Sequence, residues 1–125
     1  EPAGPIVDLA SARAAWAGAG VDDYRFDFDR QCFCLPAAVE PVTIEVRDGR
    51  VASVISRRTG QPVESGENIS WYTIEELFGL IEAAEAGGTT VRVEYADSGH
   101  PTLITIVDLA ADAGVEYRIG NVTPL

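Results

Sequence analysis

The chain has 125 residues and a net charge of −11, from nine basic and twenty acidic side chains, and 46% of its residues are hydrophobic. This length predicts one domain with a substantial buried core, and the apolar fraction excludes a disordered chain. An acidic chain repels phosphate backbones and anionic lipid, so we expect no nucleic-acid binding. No apolar run is long enough to span a bilayer, so we expect no membrane insertion.

The N-terminal end, residues 1–7, is rich in proline and is predicted to be linker-like, leaving one globular domain within 1–125. The sequence contains no methionine, which leads us to expect that a leader segment is removed during export. We therefore expect an extracytoplasmic protein that is either secreted or lipid-anchored to the cell envelope.

The first half of the chain predicts one helix and three strands. Asp8 is a candidate N-cap for a helix that ends near Gly18 or Gly20. A strand follows from Tyr24, with aromatic residues on one face and charged residues on the other. Arg30 interrupts this alternation, which predicts a bulge or the end of the strand there.

A hairpin is the strongest local prediction. Asp48 and Gly49 favour the positive φ angles of a type I′ turn between two alternating strands. A two-residue turn predicts a register in which the apolar faces coincide. That register pairs Val46 with Val51, Ile44 with Ser53 and Val42 with Ile55.

The second half predicts the same order of elements again. Residues 57–70 form a long polar loop, and Thr73 with Glu76 predicts a capping box at the start of a helix that ends at Gly87. Three further strands follow. The expected fold is α+β, with two helices packed on one face of an antiparallel sheet in the order α-βββ-α-βββ.

The only two cysteines, Cys32 and Cys34, lie one residue apart at the end of the first predicted strand. Alternate residues of a strand point to the same face about 6.6 Å apart, near the upper limit of disulfide geometry. Because two cysteines of an exported protein normally pair, we predict a local Cys32–Cys34 disulfide, with buried thiols and redox chemistry as the alternatives. Two thiolates are two ligands short of a closed zinc shell, and nothing brings His100 to them, so we predict no metal site.

Basic residues concentrate in the hairpin and its exit, beside the long loop. In an acidic chain they form a small positive pole that is suited to an acidic partner, unless neighbouring carboxylates such as Glu45, Asp48 and Glu64 balance it. The candidate binding surface comprises Phe33, Arg47, Arg50, Arg57, Arg58 and Trp71.

Several ordered segments resemble a known family. They are Trp16, Tyr24-x-Phe26 leading into Cys32-Phe33-Cys34, Val42 to Val51, Tyr72 to Phe78, Val91 to Pro101 and Ile104 to Asp108. With them the chain resembles a bacterial family known only as a domain of unknown function (number 6174). The resemblance covers nearly the whole chain and implies a small secreted or lipoprotein-type protein, with tyrosine in many members at the position of His100. It implies no activity.

We therefore expect a non-enzymatic binding or interaction module without a cofactor, a monomer that contacts a protein or cell-envelope ligand. The expectation rests on the absence of a nucleophile, base and orienting acid in a catalytic context. Two alternatives stay open. One is a thiol–disulfide active protein that uses Cys32 and Cys34, and the other is a purely structural lipoprotein domain.

Overall fold

The computed structural model describes residues 6–32, 36–63, 69–108 and 113–125. They contain two helices and six strands in the predicted order, with a short 3-10 helix at Pro36–Val39. The helices are α1 (Leu9–Ala19) and α2 (Ile74–Ala86). The strands are β1 (Tyr24–Cys32), β2 (Val42–Arg47), β3 (Arg50–Ser56), β4 (Thr90–Tyr95), β5 (Pro101–Asp108) and β6 (Ala113–Pro124).

The six strands form one sheet in the order β3-β2-β1-β6-β5-β4, and every neighbouring pair is antiparallel. Each α-βββ unit contributes three adjacent strands in the same spatial order, third, second, first. The units join where β1 pairs with β6. The predicted α+β fold is confirmed. The second half of the chain repeats the element order and strand arrangement of the first half.

Both helices begin and end where local signals place them. The Asp8 carboxylate accepts a hydrogen bond from the Ser11 backbone N–H at 2.8 Å, and Gly20 ends α1 in the left-handed conformation. At α2, Thr73 Oγ1 accepts from the Glu76 N–H at 3.0 Å and the Glu76 carboxylate accepts from the Thr73 N–H at 2.9 Å. The predicted capping box is confirmed, and it satisfies N–H groups that a helix start leaves without partners.

The hairpin turn is confirmed, but its register is only partly as predicted. Asp48 and Gly49 adopt φ angles of 52° and 74°, as a type I′ turn requires. Val46 pairs with Val51, after which a bulge shifts the pairs to Ile44 with Val54 and Val42 with Ser56. An extra residue in β3 lets Val54 rather than Ser53 share the core face with Ile44.

The break predicted at Arg30 is wrong. Strand β1 continues through Arg30 to Cys32, and Arg30 is buried on the core face in register with Tyr117. The irregularity lies instead at the β1–β6 pairing between Arg25 and Asp27, where Asn121 of β6 has a φ of 51°. An arginine among aromatic rings can occupy an apolar position of a strand because its planar head stacks on them.

The core lies between the two helices and one face of the sheet. Aromatic residues of β1 occupy its centre, and the apolar stripes of both helices belong to the same buried cluster. The opposite face, which we call the open face, is formed by the alternate, mostly polar positions of the strands. No helix among the described residues covers it. Its positions include Arg25, Asp27, Asp29, Thr43, Glu45, Leu103, Thr105, Glu116 and Arg118.

Candidate functional site: the open face of the sheet

Three of the four arginines in the predicted binding surface lie on the open face. Arg47 and Arg50 form the register pair that flanks the β2–β3 turn, and Arg57 follows β3 on the side of Asp29. Arg58 turns away to Glu40. The structure therefore brings most of the basic hairpin to one surface, while the binding role itself stays a prediction.

Acidic residues neutralise much of this basic surface. Arg47 Nε lies 3.3 Å from the Glu45 carboxylate, and its Nη1 lies 3.9 Å from Asp23. Arg57 pairs with Asp29 and lies 3.9 Å from the Asp27 carboxylate. These pairs are partly exposed, so each stabilises the fold little, but together they hold the arginine side chains in place.

Asp27 is the centre of a network that crosses three strands. Its carboxylate accepts from Thr43 Oγ1 on β2 at 2.9 Å and from Asn121 Nδ2 on β6 at 2.7 Å. The left-handed backbone of Asn121 provides the local bulge from which this amide reaches Asp27. With Arg57 nearby, the middle of the open face is polar, hydrogen-bonded and ordered by side chains from different strands.

Arg58 and Glu40 form a fork-to-fork pair beside the sheet. Arg58 Nε and Nη2 each donate to a different Glu40 oxygen at 2.8 Å, and Arg58 lowers the pKa of Glu40. The buried Ser56 hydroxyl donates to Glu40 at 3.2 Å and accepts the N–H groups of Arg58 and Thr59. This arrangement orders the start of the 57–63 segment and leaves Arg58 engaged within the chain.

The open face is close to neutral although the chain carries −11. It holds six of the nine arginines, namely Arg25, Arg47, Arg50, Arg57, Arg92 and Arg118. Six carboxylates accompany them, namely Asp23, Asp27, Asp29, Glu45, Glu94 and Glu116. Within the described parts of the chain, Arg25, Arg50 and Arg92 form no ion pair. These three cations remain available to an outside carboxylate.

Sequence reasoning missed Arg25, Arg92 and Arg118. Each stands at a polar position of an alternating strand, so their common face could have been predicted strand by strand. That the strands carrying them share one sheet depends on the pairing of β1 with β6, which joins the two halves of the chain.

Trp71 lies on the core side of the sheet, away from the basic hairpin. Its ring packs at 6.2 Å from Phe28, and the guanidinium of Arg30 stacks over it at 5.1 Å. The Trp71 Nε1–H is buried and has no hydrogen-bond partner among the described residues. Trp71 therefore belongs to a packed cation–aromatic cluster and not to the open face.

The cysteine motif is only partly described. Cys32 is half-buried on the core side at the end of β1 and pairs in register with Val115. Cys34 and Phe33 lie outside the described residues. The Cys32–Cys34 disulfide, its redox role and the contribution of Phe33 to binding therefore stay predictions.

A polar cluster fixes both helices to the start of β1. The Glu75 carboxylate accepts from Trp16 Nε1 at 2.6 Å and from the Tyr24 hydroxyl at 2.8 Å. That hydroxyl accepts from the Ile74 N–H at 2.9 Å. Burial raises the pKa of Tyr24, with Glu75 contributing in the same direction. The cluster satisfies buried donors and links α1, α2 and the sheet.

His100 lies at this same end of the sheet. Its ring meets Trp16 edge-to-face at 5.8 Å, its Nδ1 lies 2.6 Å from Ser98 Oγ, and burial lowers its pKa. Tyr24 packs on Trp16, whereas Cys32 stands eight residues further along β1, roughly 26 Å away by strand rise. The fold therefore does not bring the imidazole and the thiol together.

The protein buries several tyrosine side chains in their neutral form. Alkaline pH is therefore expected to destabilise it. Burial raises the pKa of Tyr24, Tyr95 and Tyr117 above their ordinary value of 10.0. Above about pH 10 the unfolded chain releases these protons and the folded chain retains them. The free energy of unfolding should then fall by up to about 1.4 kcal/mol per pH unit for each of the buried Tyr24 and Tyr117, and by less for the more exposed Tyr95.

Urea unfolding from about pH 8 to about pH 11 measures this slope. Tyr24→Phe should lower stability at every pH, since the Ile74 N–H loses its acceptor, and should also flatten the alkaline slope. A slope that is the same in Tyr24→Phe and wild type would contradict the assignment.

No group of three or more histidine, cysteine or acidic side chains among the described residues is arranged to hold a metal ion. None of the helices described is long and apolar enough to cross a membrane.

Comparison with known proteins identifies one family. The profile described as a family of unknown function (DUF6174) matches residues 8–124. No curated protein and no solved structure gives a significant match.

Proposed function

The chain belongs to the DUF6174 family of unknown function, and we propose that it is a non-enzymatic binding module, exported from a bacterial cell, whose open face receives an acidic surface of a protein partner. One observation carries the proposal: two arginines at one end of that face, Arg25 and Arg50, have no carboxylate partner in the described chain. A protein carboxylate would complete each of them.

The surroundings of these arginines favour recognition of a protein. Arginine is enriched in protein interfaces, and its planar head binds carboxylates in a fixed geometry. The Asp27 network with Thr43 and Asn121 orders the centre of the face before binding, which lowers the entropy lost when a partner docks. The near-neutral face also repels an acidic partner less than the other surfaces of this chain do, since the chain as a whole carries −11.

A direct test is a titration of the ¹⁵N-labelled protein with a hexaglutamate peptide, followed by NMR, in about 0.15 M salt to screen distant charges. We expect saturable shifts that are confined to open-face residues. The double substitution Arg25→Gln with Arg50→Gln should weaken binding at least about tenfold, because it removes two charge-assisted contacts.

The matched control is Arg13→Gln. Arg13 is half-buried and lies on α1, where it pairs with Glu82 at 2.8 Å. This variant should bind the peptide as wild type does. Shifts that map to the helices, or equal binding by the double variant, would refute the open-face site.

The non-enzymatic part of the proposal has its own test. Purified protein is assayed against a broad panel of hydrolase substrates and in a thiol–disulfide exchange assay. We expect no turnover above buffer. Turnover that is lost in Cys34→Ser would instead establish the thiol–disulfide alternative.

A further inference from the structure

The two edges of the sheet differ in how they are protected. Along β3, the segment after the strand folds back, so that the Val63 N–H donates to the Val54 carbonyl and the Ser56 N–H donates to the Gln61 carbonyl, both at 2.9 Å. Pro62 completes this cover with a bridge to Ile55. Strand β4 forms the opposite edge, and nothing in the described residues pairs with its outer side.

Strand β4 carries only part of the usual protection against edge pairing. Natural edges are blocked by short strands, by charged side chains, especially lysine, by proline or bulges, by covering segments or by charges pointing inward. From Thr90 to Tyr95 this strand contains neither lysine nor proline. Its two charges, Arg92 and Glu94, stand on the open face without an ion-pair partner in the described chain. Its apolar residues are only half-buried on the core side.

These six residues are self-complementary in one register. When a strand pairs antiparallel with its own copy about a two-fold axis, one residue faces itself. With Val93 at that position, Arg92 faces Glu94 of the partner copy, twice per interface. Centring the pairing on Arg92 or on Glu94 would instead oppose like charges, which is unfavourable.

The geometry points to a second copy of this chain as the occupant of the β4 edge, paired antiparallel about Val93. The interface would join two six-stranded sheets into one and place Val91 across from Tyr95 on the core side. Backbone hydrogen bonds and these apolar pairs stabilise it, and the two Arg92–Glu94 contacts select the register. The interface is small, so association is weak and concentration-dependent.

The test uses charge reversal at the edge, with sedimentation equilibrium in about 0.15 M salt as the measurement. Wild type should approach twice the mass of one chain as its concentration rises. Arg92→Glu alone and Glu94→Arg alone should each remain monomeric, because each variant opposes like charges in both cross-strand pairs. An equimolar mixture of the two should associate, because every pair is then complementary. Both variants keep a large negative net charge, so their net charges repel and cannot explain association in the mixture.

The control reproduces the same charge changes on an inner strand. Arg118 and Glu116 of β6 pair with each other at 2.9 Å on the open face. Arg118→Glu and Glu116→Arg should leave self-association unchanged. The proposal is overturned if wild type stays monomeric, as the sequence led us to expect, or if the mixed edge variants associate no better than each does alone.

Discussion

Gly99→Ala is expected to destabilise the fold by about 3 kcal/mol or more. Gly99 is buried in the turn before β5, with a φ of 98°. A Cβ there would lie 2.7 Å from the backbone nitrogen of Trp16, closer still to the Ala12 carbonyl oxygen, and 3.0 Å from Ala15 Cβ. These are atoms of helix α1, two of them backbone, so the whole helix would have to move.

Gly60→Ala separates backbone strain from this clash. Gly60 has a φ of 74°, and no atom lies within 4 Å of a Cβ built there. The Gly60→Ala variant should lose only about 1 kcal/mol of unfolding free energy, which is the cost of placing alanine at a positive φ. Urea unfolding of both variants gives the difference, and equal losses would show that α1 does not rest on the 96–100 turn as the structure has it.

Features that are determined by a few adjacent residues were predictable from the sequence. The Asp8 cap, the Thr73 capping box and the Asp48-Gly49 turn depend on a few adjacent residues, whose side chains or φ preferences decide the conformation. The element order followed from periodicity alone, because each strand and helix shows its own repeat.

Features that depend on distant residues were predicted less well. The bulge after Val51 arises because Val54 shares the core face with Ile44, which the turn itself does not dictate. The candidate site shows the same limit. Hairpin arginines such as Arg47 were found as a local charge cluster, whereas Arg92 joins their face only through the β1–β6 junction between the two halves.

Arg30→Ala is expected to lower the free energy of unfolding by about 3–5 kcal/mol. Arg30 is 7% exposed and donates to the carbonyl oxygens of Ala38 and Ser70. Its guanidinium stacks on four rings with centroid distances of 5.1 to 5.8 Å, those of Phe28, Trp71, Tyr72 and Tyr117. Truncation would open a cavity and leave both carbonyls without these donors.

Arg25→Ala is the matched control, since Arg25 is exposed on the other face of the same strand. It should change the free energy of unfolding by no more than about 0.5 kcal/mol. Arg30→Met adds a second comparison because methionine fills most of the stem volume without charge or donors. We expect the free energy of unfolding of Arg30→Met to lie between those of wild type and Arg30→Ala.

The methionine variant decides what the charge contributes. Among the described residues no carboxylate pairs with Arg30, so its desolvation is offset by neutral groups, namely the rings, the two carbonyls and the Tyr117 hydroxyl. If Arg30→Met were as stable as wild type, packing of the stem alone would account for the strand continuing through this position. If Arg30→Met instead has a clearly lower free energy of unfolding than wild type, the contacts of the charged guanidinium with the rings stabilise the strand at Arg30. Those contacts would then explain why β1 continues to Cys32, an extension that the alternation of side chains did not predict.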